Sequence, residues 1–306
     1  MDNLTHSLVG ALIGQAGLKR RTGLAMPALI IGANIPDIDA ACLLWLDGVE
    51  HLAVRRGITH GPIAWMLLPL VLAGALYGFD RWKAARGRRP GSRAPVHFGW
   101  LGALAFIACL THPALDWLNT YGIRLLEPFS SRWFYGDVLF IIDLWLWLGL
   151  GFATWLSLRR ERRDGAWRRP ARIALAAALA YIGGNAALTW AAERGARQAP
   201  TGAATIIASP PPVRFWAREV IAGSDGLYRA GGAVLPGIPL GRCDLAAAAR
   251  ADPEIAAFLF WSRTPFVAPR GDGSLWLRDA RYADPRIGDR FAVRLPAGIC
   301  AQPAAG

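Results

Sequence analysis

The sequence is short of the residues that many metal proteins rely on. Of 306 residues only five are histidine and four cysteine, and acidic residues number 22 against 34 basic ones. Cys42, Cys109, Cys243 and Cys300 show no C-x-x-C spacing, which argues against a thiolate zinc site. Cys42 and Cys109 fall in apolar runs and are expected only to pack. Cys243 and Cys300 both lie near the C-terminus and can pair if that region is outside the cytoplasm. Met1-Asp2-Asn3 is acidic where a leader would be basic, and no small-residue cleavage site follows an apolar core. A cleaved signal peptide is therefore not expected.

Apolar residues are abundant, at 54%. A soluble globular chain holds about 45–50%, so lipid is the expected solvent for part of this one. The net charge of +12 would suggest nucleic acid in a soluble protein. Here the basic residues cluster between apolar runs, which is the pattern of membrane topology, and no nucleic-acid partner is expected. Runs at approximately 61–79, 97–118, 138–158 and 172–192 each reach the roughly 20 residues a span needs. The run 24–46 is long enough but carries Asn34, Pro36, Asp37 and Asp39. The run 4–18 is short, and reads as tilted, re-entrant or packed inside the bundle. The expected fold is an α-helical polytopic membrane bundle of about five to six segments over residues 1–195. A small C-terminal α+β domain is expected over 200–306. In it, 203–209, 213–221, 274–282 and 290–295 read as strands. Residues 252–261 read as a helix capped by Asp252, with Pro253 in its first turn.

Loop charge sets the expected orientation. Lys19 to Arg21, six basic residues between 81 and 93, and seven between 159 and 172 lie in alternate loops; the opposite loops hold only Arg55, Arg56, Arg124 and Arg132. The positive-inside rule puts the richer side in the cytoplasm and the C-terminal domain outside.

Three of the five histidines follow threonine: Thr5-His6, Thr59-His60 and Thr111-His112. Ten threonines would rarely produce this by chance. The repeated pair suggests one structural need, with imidazole as metal ligand and threonine as helix cap or support for the ligand. A plainer reading makes each threonine a cap that a histidine happens to follow. Asp37 and Asp39 would point apart on a regular helix, but Pro36 breaks it and lets them converge. They either hold a cation or cap a restarted helix; lipid disfavours unpaired carboxylates. His112 and Asp116, at i and i+4, share a helix face, as metal chelate or as a simple hydrogen-bonded pair, and Asn119 continues that face.

Charge counting brings His6, Asp37, Asp39, His60, His112 and Asp116 to one membrane face. Three imidazoles and three carboxylates suit a divalent metal, zinc first, as one or two ions. Such an ion activates water for hydrolysis, with Asp37 or Asp116 as proton acceptor. Asp143, deep in an apolar run, is a further catalytic candidate or a structural partner for Asn185 or a buried arginine. Arg124 and Arg132 are candidates to hold a substrate phosphate, with Asn119, or else to anchor the loop at lipid headgroups.

At these residues a resemblance emerges. Met1-Asp2-Asn3-Leu4-Thr5-His6, Asn34-Ile35-Pro36-Asp37-Ile38-Asp39, Arg56-Gly57-Ile58-Thr59-His60 and His112 through Gly122 resemble the YdjM-like family of membrane-bound metal-dependent hydrolases. Pro128-Phe129-Ser130 through Asp143, Trp261 through Phe266 and Asp279-Ala280-Arg281-Tyr282 continue the likeness. The resemblance implies a hydrolase of the bacterial inner membrane. A more distant similarity is to zinc-dependent phospholipase C proteins. Two positions depart from the family pattern: Arg55 stands where histidine is frequent, and Gly61 where serine is frequent. The expected function is hydrolysis of a membrane-associated ester or phosphoester, with lipid as partner and substrate. A metal transporter and a membrane protein with a structural metal are the alternatives.

Overall fold

The computed structural model describes residues 1–199, 202–284 and 289–301. Residues 200 and 201, at the start of the expected C-terminal domain, and 285–288 and 302–306 within it, lie outside the described residues. The chain forms two units. One holds Met1–Asp39, Arg56–Ala186 and Pro212–Phe215; the other holds Ala40–Arg55, Ala187–Pro211 and Trp216–Gly306.

In the first unit, α1 spans Asn3–Gln15. Asp2 caps it, accepting the Leu4 and Thr5 N–H groups at 3.0 Å. Thr5, His6, Gly10, Leu12 and Gln15 are buried, so α1 is an interior helix. Gly10 allows that position, since a Cβ there would lie 2.5 Å from the Leu29 carbonyl oxygen. Helix α2, Ala25–Gly32, ends just before Asn34-Ile35-Pro36, and a 3₁₀ stretch over Ile35–Leu44 leaves it at a 52° bend. Pro36 is the sequence cause, because it cannot donate the hydrogen bond that would continue α2.

Helices α3 (Pro62–Ala85), α4 (Phe98–Trp117) and α6 (Arg168–Gln198) are each long and apolar enough to cross a membrane, and the bent pair gives a fourth candidate. Helix α5, Leu144–Glu161, is 18 residues long and ends in Arg159-Arg160-Glu161. Its start corrects the expected run over 138–158. Asp143 accepts the Leu146 N–H at 2.9 Å and fixes the first turn there. Leu67, Leu70 and Val71 of α3, Phe152 of α5 and Leu179 of α6 are exposed, as lipid-facing positions would be.

In the second unit, β1 (Thr205–Ser209), β2 (Glu219–Ser224), β3 (Leu227–Ala230) and β4 (Ala233–Val234) form an antiparallel sheet in sequence order. Helices α7 (Leu245–Ala251) and α8 (Pro253–Trp261) precede a second sheet of β5 (Pro265–Pro269), β6 (Leu275–Asp279) and β7 (Ala292–Arg294). Asp252 caps α8 as the sequence suggests, accepting the Glu254 N–H at 2.8 Å. The expected strand over 213–221 is shorter. Val213 has φ +68°, its carbonyl accepts the Trp145 indole N–H at 2.7 Å, and Phe215 stacks edge-on to Tyr181, so pairing starts only at Glu219. Cys243 and Cys300 form a disulfide.

The buried anchor of this unit is Asp279, which accepts from Ser262, from Thr264 at 2.9 Å and from Arg281 at 2.7 Å. Burial alone would raise its pKa, but the Arg281 charge and the hydrogen bonds outweigh burial and hold it down to about 2. Segment 40–55 belongs here too. The Val49 N–H donates to Glu254 Oε2 of α8 at 3.2 Å.

Candidate metal centre

The centre is built where helix ends leave polar groups open. Ala33, just past the last residue of α2, has a carbonyl with no partner inside the helix. His112 Nδ1 lies 2.7 Å from it. A carbonyl only accepts, so Nδ1 carries the proton and the Nε2 lone pair faces inward, as a metal-ligating imidazole requires. His60 follows the same logic on its 3₁₀ turn. Its Nδ1 lies 3.0 Å from Thr59 Oγ1 and 3.4 Å from Asp39 Oδ2, which leaves Nε2 for the centre.

The two Nε2 atoms are 3.2 Å apart. His60 Nε2 is 3.6 Å and His112 Nε2 3.5 Å from Asp116 Oδ2. The same nitrogens lie 3.9 and 3.8 Å from Asp37 Oδ1. The four ligand atoms of Asp37, His60, His112 and Asp116 all fall within 4.8 Å of one another. A tetrahedral ion with bonds of about 2.0–2.1 Å separates its ligand atoms by about 3.3–3.4 Å. The measured edges bracket that value. Asp116 Oδ2, fully buried, receives no hydrogen bond from any described residue, although Arg56 Nε approaches to 3.0 Å in an ion pair. A buried carboxylate oxygen left open among imidazole nitrogens fits a cation.

His6 and Asp39 border this group. His6 stacks on His112, with ring centroids 3.8 Å apart, and its Nε2 faces the other Asp116 oxygen at 3.3 Å. The Met1 backbone nitrogen contacts that same oxygen. Asp39 stands behind His60, where it accepts from the Arg56 N–H at 2.7 Å and Thr59 Oγ1 at 3.1 Å. Asp37 and Asp39 thus address opposite nitrogens of one ring, which a regular helix would not allow. Asn119 is buried, and its Oδ1 accepts from Arg56 at 3.1 Å and the Tyr121 N–H at 2.9 Å.

Three other candidate residues have partners of their own. Asp143 caps α5 and accepts from Tyr181 Oη at 2.9 Å. Arg124 pairs with Glu127 at 2.9 Å, and Arg132 is exposed over the Phe134 ring. The threonines of the Thr-His pairs do not share one job. Thr59 supports His60, Thr5 donates to Asp2 at 2.7 Å, and Thr111 donates to the Ala108 carbonyl at 2.7 Å within α4.

The residue that sequence reading missed is Arg56, counted there only as loop charge. It is 5% exposed and adopts φ +55°, a left-handed conformation costly for a side-chain-bearing residue. Asp39 holds its N–H, the Arg124 N–H donates to its carbonyl at 3.0 Å, and its guanidinium contacts Asp116, Asn119 and the Gly122 carbonyl. The only sequence signal was its place at the head of Arg56-Gly57-Ile58-Thr59-His60.

The departure at Gly61 has a steric reason. A Cβ there would lie 1.9 Å from the Glu127 carbonyl oxygen and 2.9 Å from its carbon. Gly61→Ser is expected to destabilise the protein by about 1–3 kcal/mol or more through overpacking. A melting temperature equal to that of the parent would overturn this account.

A family profile described as YdjM inner membrane protein matches residues 1–192, a span that includes Asp37, His60, His112 and Asp116. The uncharacterized protein YfhP of Bacillus subtilis (strain 168) is 30% identical over 141 residues, 44% of this chain and 39% of that protein. The chain thus spans about two fifths of the length of this relative. No solved structure matches. With well over half its length matched by the profile, this chain belongs to the YdjM inner membrane protein family.

Proposed function

We propose that the protein is a membrane-embedded metal-dependent hydrolase acting on a membrane-associated ester, with phosphoesters such as phospholipids the leading class. The observation that carries this reading is the clustering of one ligand atom each from Asp37, His60, His112 and Asp116 within 4.8 Å of one another, with Asp116 Oδ2 buried and without a hydrogen bond. Zinc suits this nitrogen and oxygen set best. Asp116 offers one oxygen to the four-residue group, and its other oxygen faces His6 Nε2 and the Met1 nitrogen.

When bound, a divalent ion supplies Lewis acidity and lowers the pKa of water to about 7. The chain supplies the rest. Asp37, less buried than the other three, is the carboxylate placed to accept a proton. The Asn119 amide nitrogen has no hydrogen-bond partner among the described residues and can donate to a substrate oxygen. Arg56 offsets the carboxylate charge, so that an anionic phosphoryl group is not repelled. An apolar groove of about 450 Å³, lined in part by Pro62, Ile63, Met66 and Phe129, begins two residues from His60 and supports a lipid substrate.

The proposed topology has α2 with its bent extension, α3, α4, α5 and α6 as five membrane segments and α1 as an interior sixth. The centre and the second unit then face outward. Loop charge supports that orientation, and so does the Cys243–Cys300 disulfide, which an oxidising compartment would preserve.

The test is elemental analysis of purified protein, then a phosphoester screen in mixed micelles with and without chelator. Stoichiometric zinc and chelator-sensitive turnover are expected. Bound metal with no turnover on any lipid phosphoester or ester, but with metal uptake into proteoliposomes, would replace the hydrolase by a transporter.

A further inference from the structure

We propose that the groove between α5 and α6 is a binding site for one anionic phospholipid, lined by none of the residues of the metal centre. The groove measures about 590 Å³, within the range of small-molecule sites. Leu150, Phe152, Leu156 and Ile173 line its length, with small residues between them. Two cations, Arg160 from the end of α5 and Arg169 from the start of α6, are among its lining residues, and no acidic residue lines it. From Leu146 to Arg160 the helix rises about 21 Å, more than half of the roughly 30 Å hydrocarbon core. One acyl chain fits along it, with its phosphate at the arginines.

The surrounding charge favours that occupant. The loop joining α5 and α6 and its flanks carry seven arginines against Glu161 and Asp164. Glu161 is engaged by Lys19 and Gln15. Topological bias explains why arginines occur in this loop; it does not explain why two of them, one from each helix, face the same apolar groove. At the other end Tyr181 is committed to Asp143, so a polar headgroup finds its partners only at the arginine end. Paired basic groups between membrane helices on the cytoplasmic side are the chemistry that recognises anionic headgroups.

The experiment uses the full chain in detergent, with lipid binding read by native mass spectrometry. The probes are dioleoyl phosphatidylglycerol and dioleoyl phosphatidylcholine. The parent is expected to bind one phosphatidylglycerol per chain, at least about 10-fold tighter than phosphatidylcholine. Arg160→Ala with Arg169→Ala is expected to weaken phosphatidylglycerol by about 10- to 30-fold and to leave phosphatidylcholine unchanged. Ala177→Phe, which fills the groove, is expected to weaken both lipids. Should the double variant fail to fold, Ala177→Phe alone decides. Equal binding of the two lipids by the parent, or unchanged phosphatidylglycerol binding in the variants, would overturn the proposal. So would a dimer in lipid nanodiscs that Ala177→Phe abolishes without changing lipid binding, because a second copy would then be the occupant.

Discussion

Replacing Asp116 with alanine is expected to lower metal affinity by more than about 100-fold and to abolish chelator-sensitive turnover. Residues that only orient a ligand typically contribute 10- to 100-fold, and Asp116 is itself a candidate ligand within the four-residue group. The variant also separates functional readings. It leaves the buried Arg56 without its carboxylate, so a loss of about 3–5 kcal/mol is expected whatever the role of the metal. Lost turnover in a variant that still folds supports an enzyme. A chelator-treated parent that unfolds points to a structural metal, and turnover that survives at parental rate removes Asp116 from the mechanism. Zinc content, melting temperature and turnover measured on one preparation decide among these.

Arg56→Met carries the second largest expected effect. It removes the cation that faces a fully buried carboxylate and leaves Asn119 Oδ1 and the Gly122 carbonyl with one donor fewer. Breaking a buried ion pair by removing one partner costs about 3–5 kcal/mol. Bound metal supplies positive charge at the same carboxylate, so added zinc should raise the melting temperature of Arg56→Met by more than that of the parent. A loss below about 1 kcal/mol, or equal zinc shifts in both proteins, would show that Arg56 is not the counter-charge. Arg56→Lys should recover the charge but not the fork that reaches Asn119 and Gly122 together.

How much of this could be read in advance depended on whether the signal was local. His112 and Asp116 lie one helical turn apart, and the repeat of the helix places them side by side. Pro36 announces a break, and the break is where Asp37 and Asp39 turn toward His60. Asp252 before Pro253 announces a helix start, and α8 begins there. Other features had no local sign. The Ala33 carbonyl that orients His112 is backbone, and every residue has one. Arg56 reads as one more loop cation until Asp116, 60 residues later, folds against it. Asp143 reads as a charge stranded in an apolar run of helical length; the helix starts just after it and uses it as a cap.

The attachment of segment 40–55 to α8 has a consequence for biogenesis. Val49 and Glu254, which bond each other, are separated by 205 positions in the chain. At about 5–20 residues per second, the segment emerges roughly 10–40 s before the helix it binds. Asp39 and Arg56 stand at its two ends. During that interval the polypeptide between them lacks its native cover, and the nascent chain has to be kept from pairing it elsewhere.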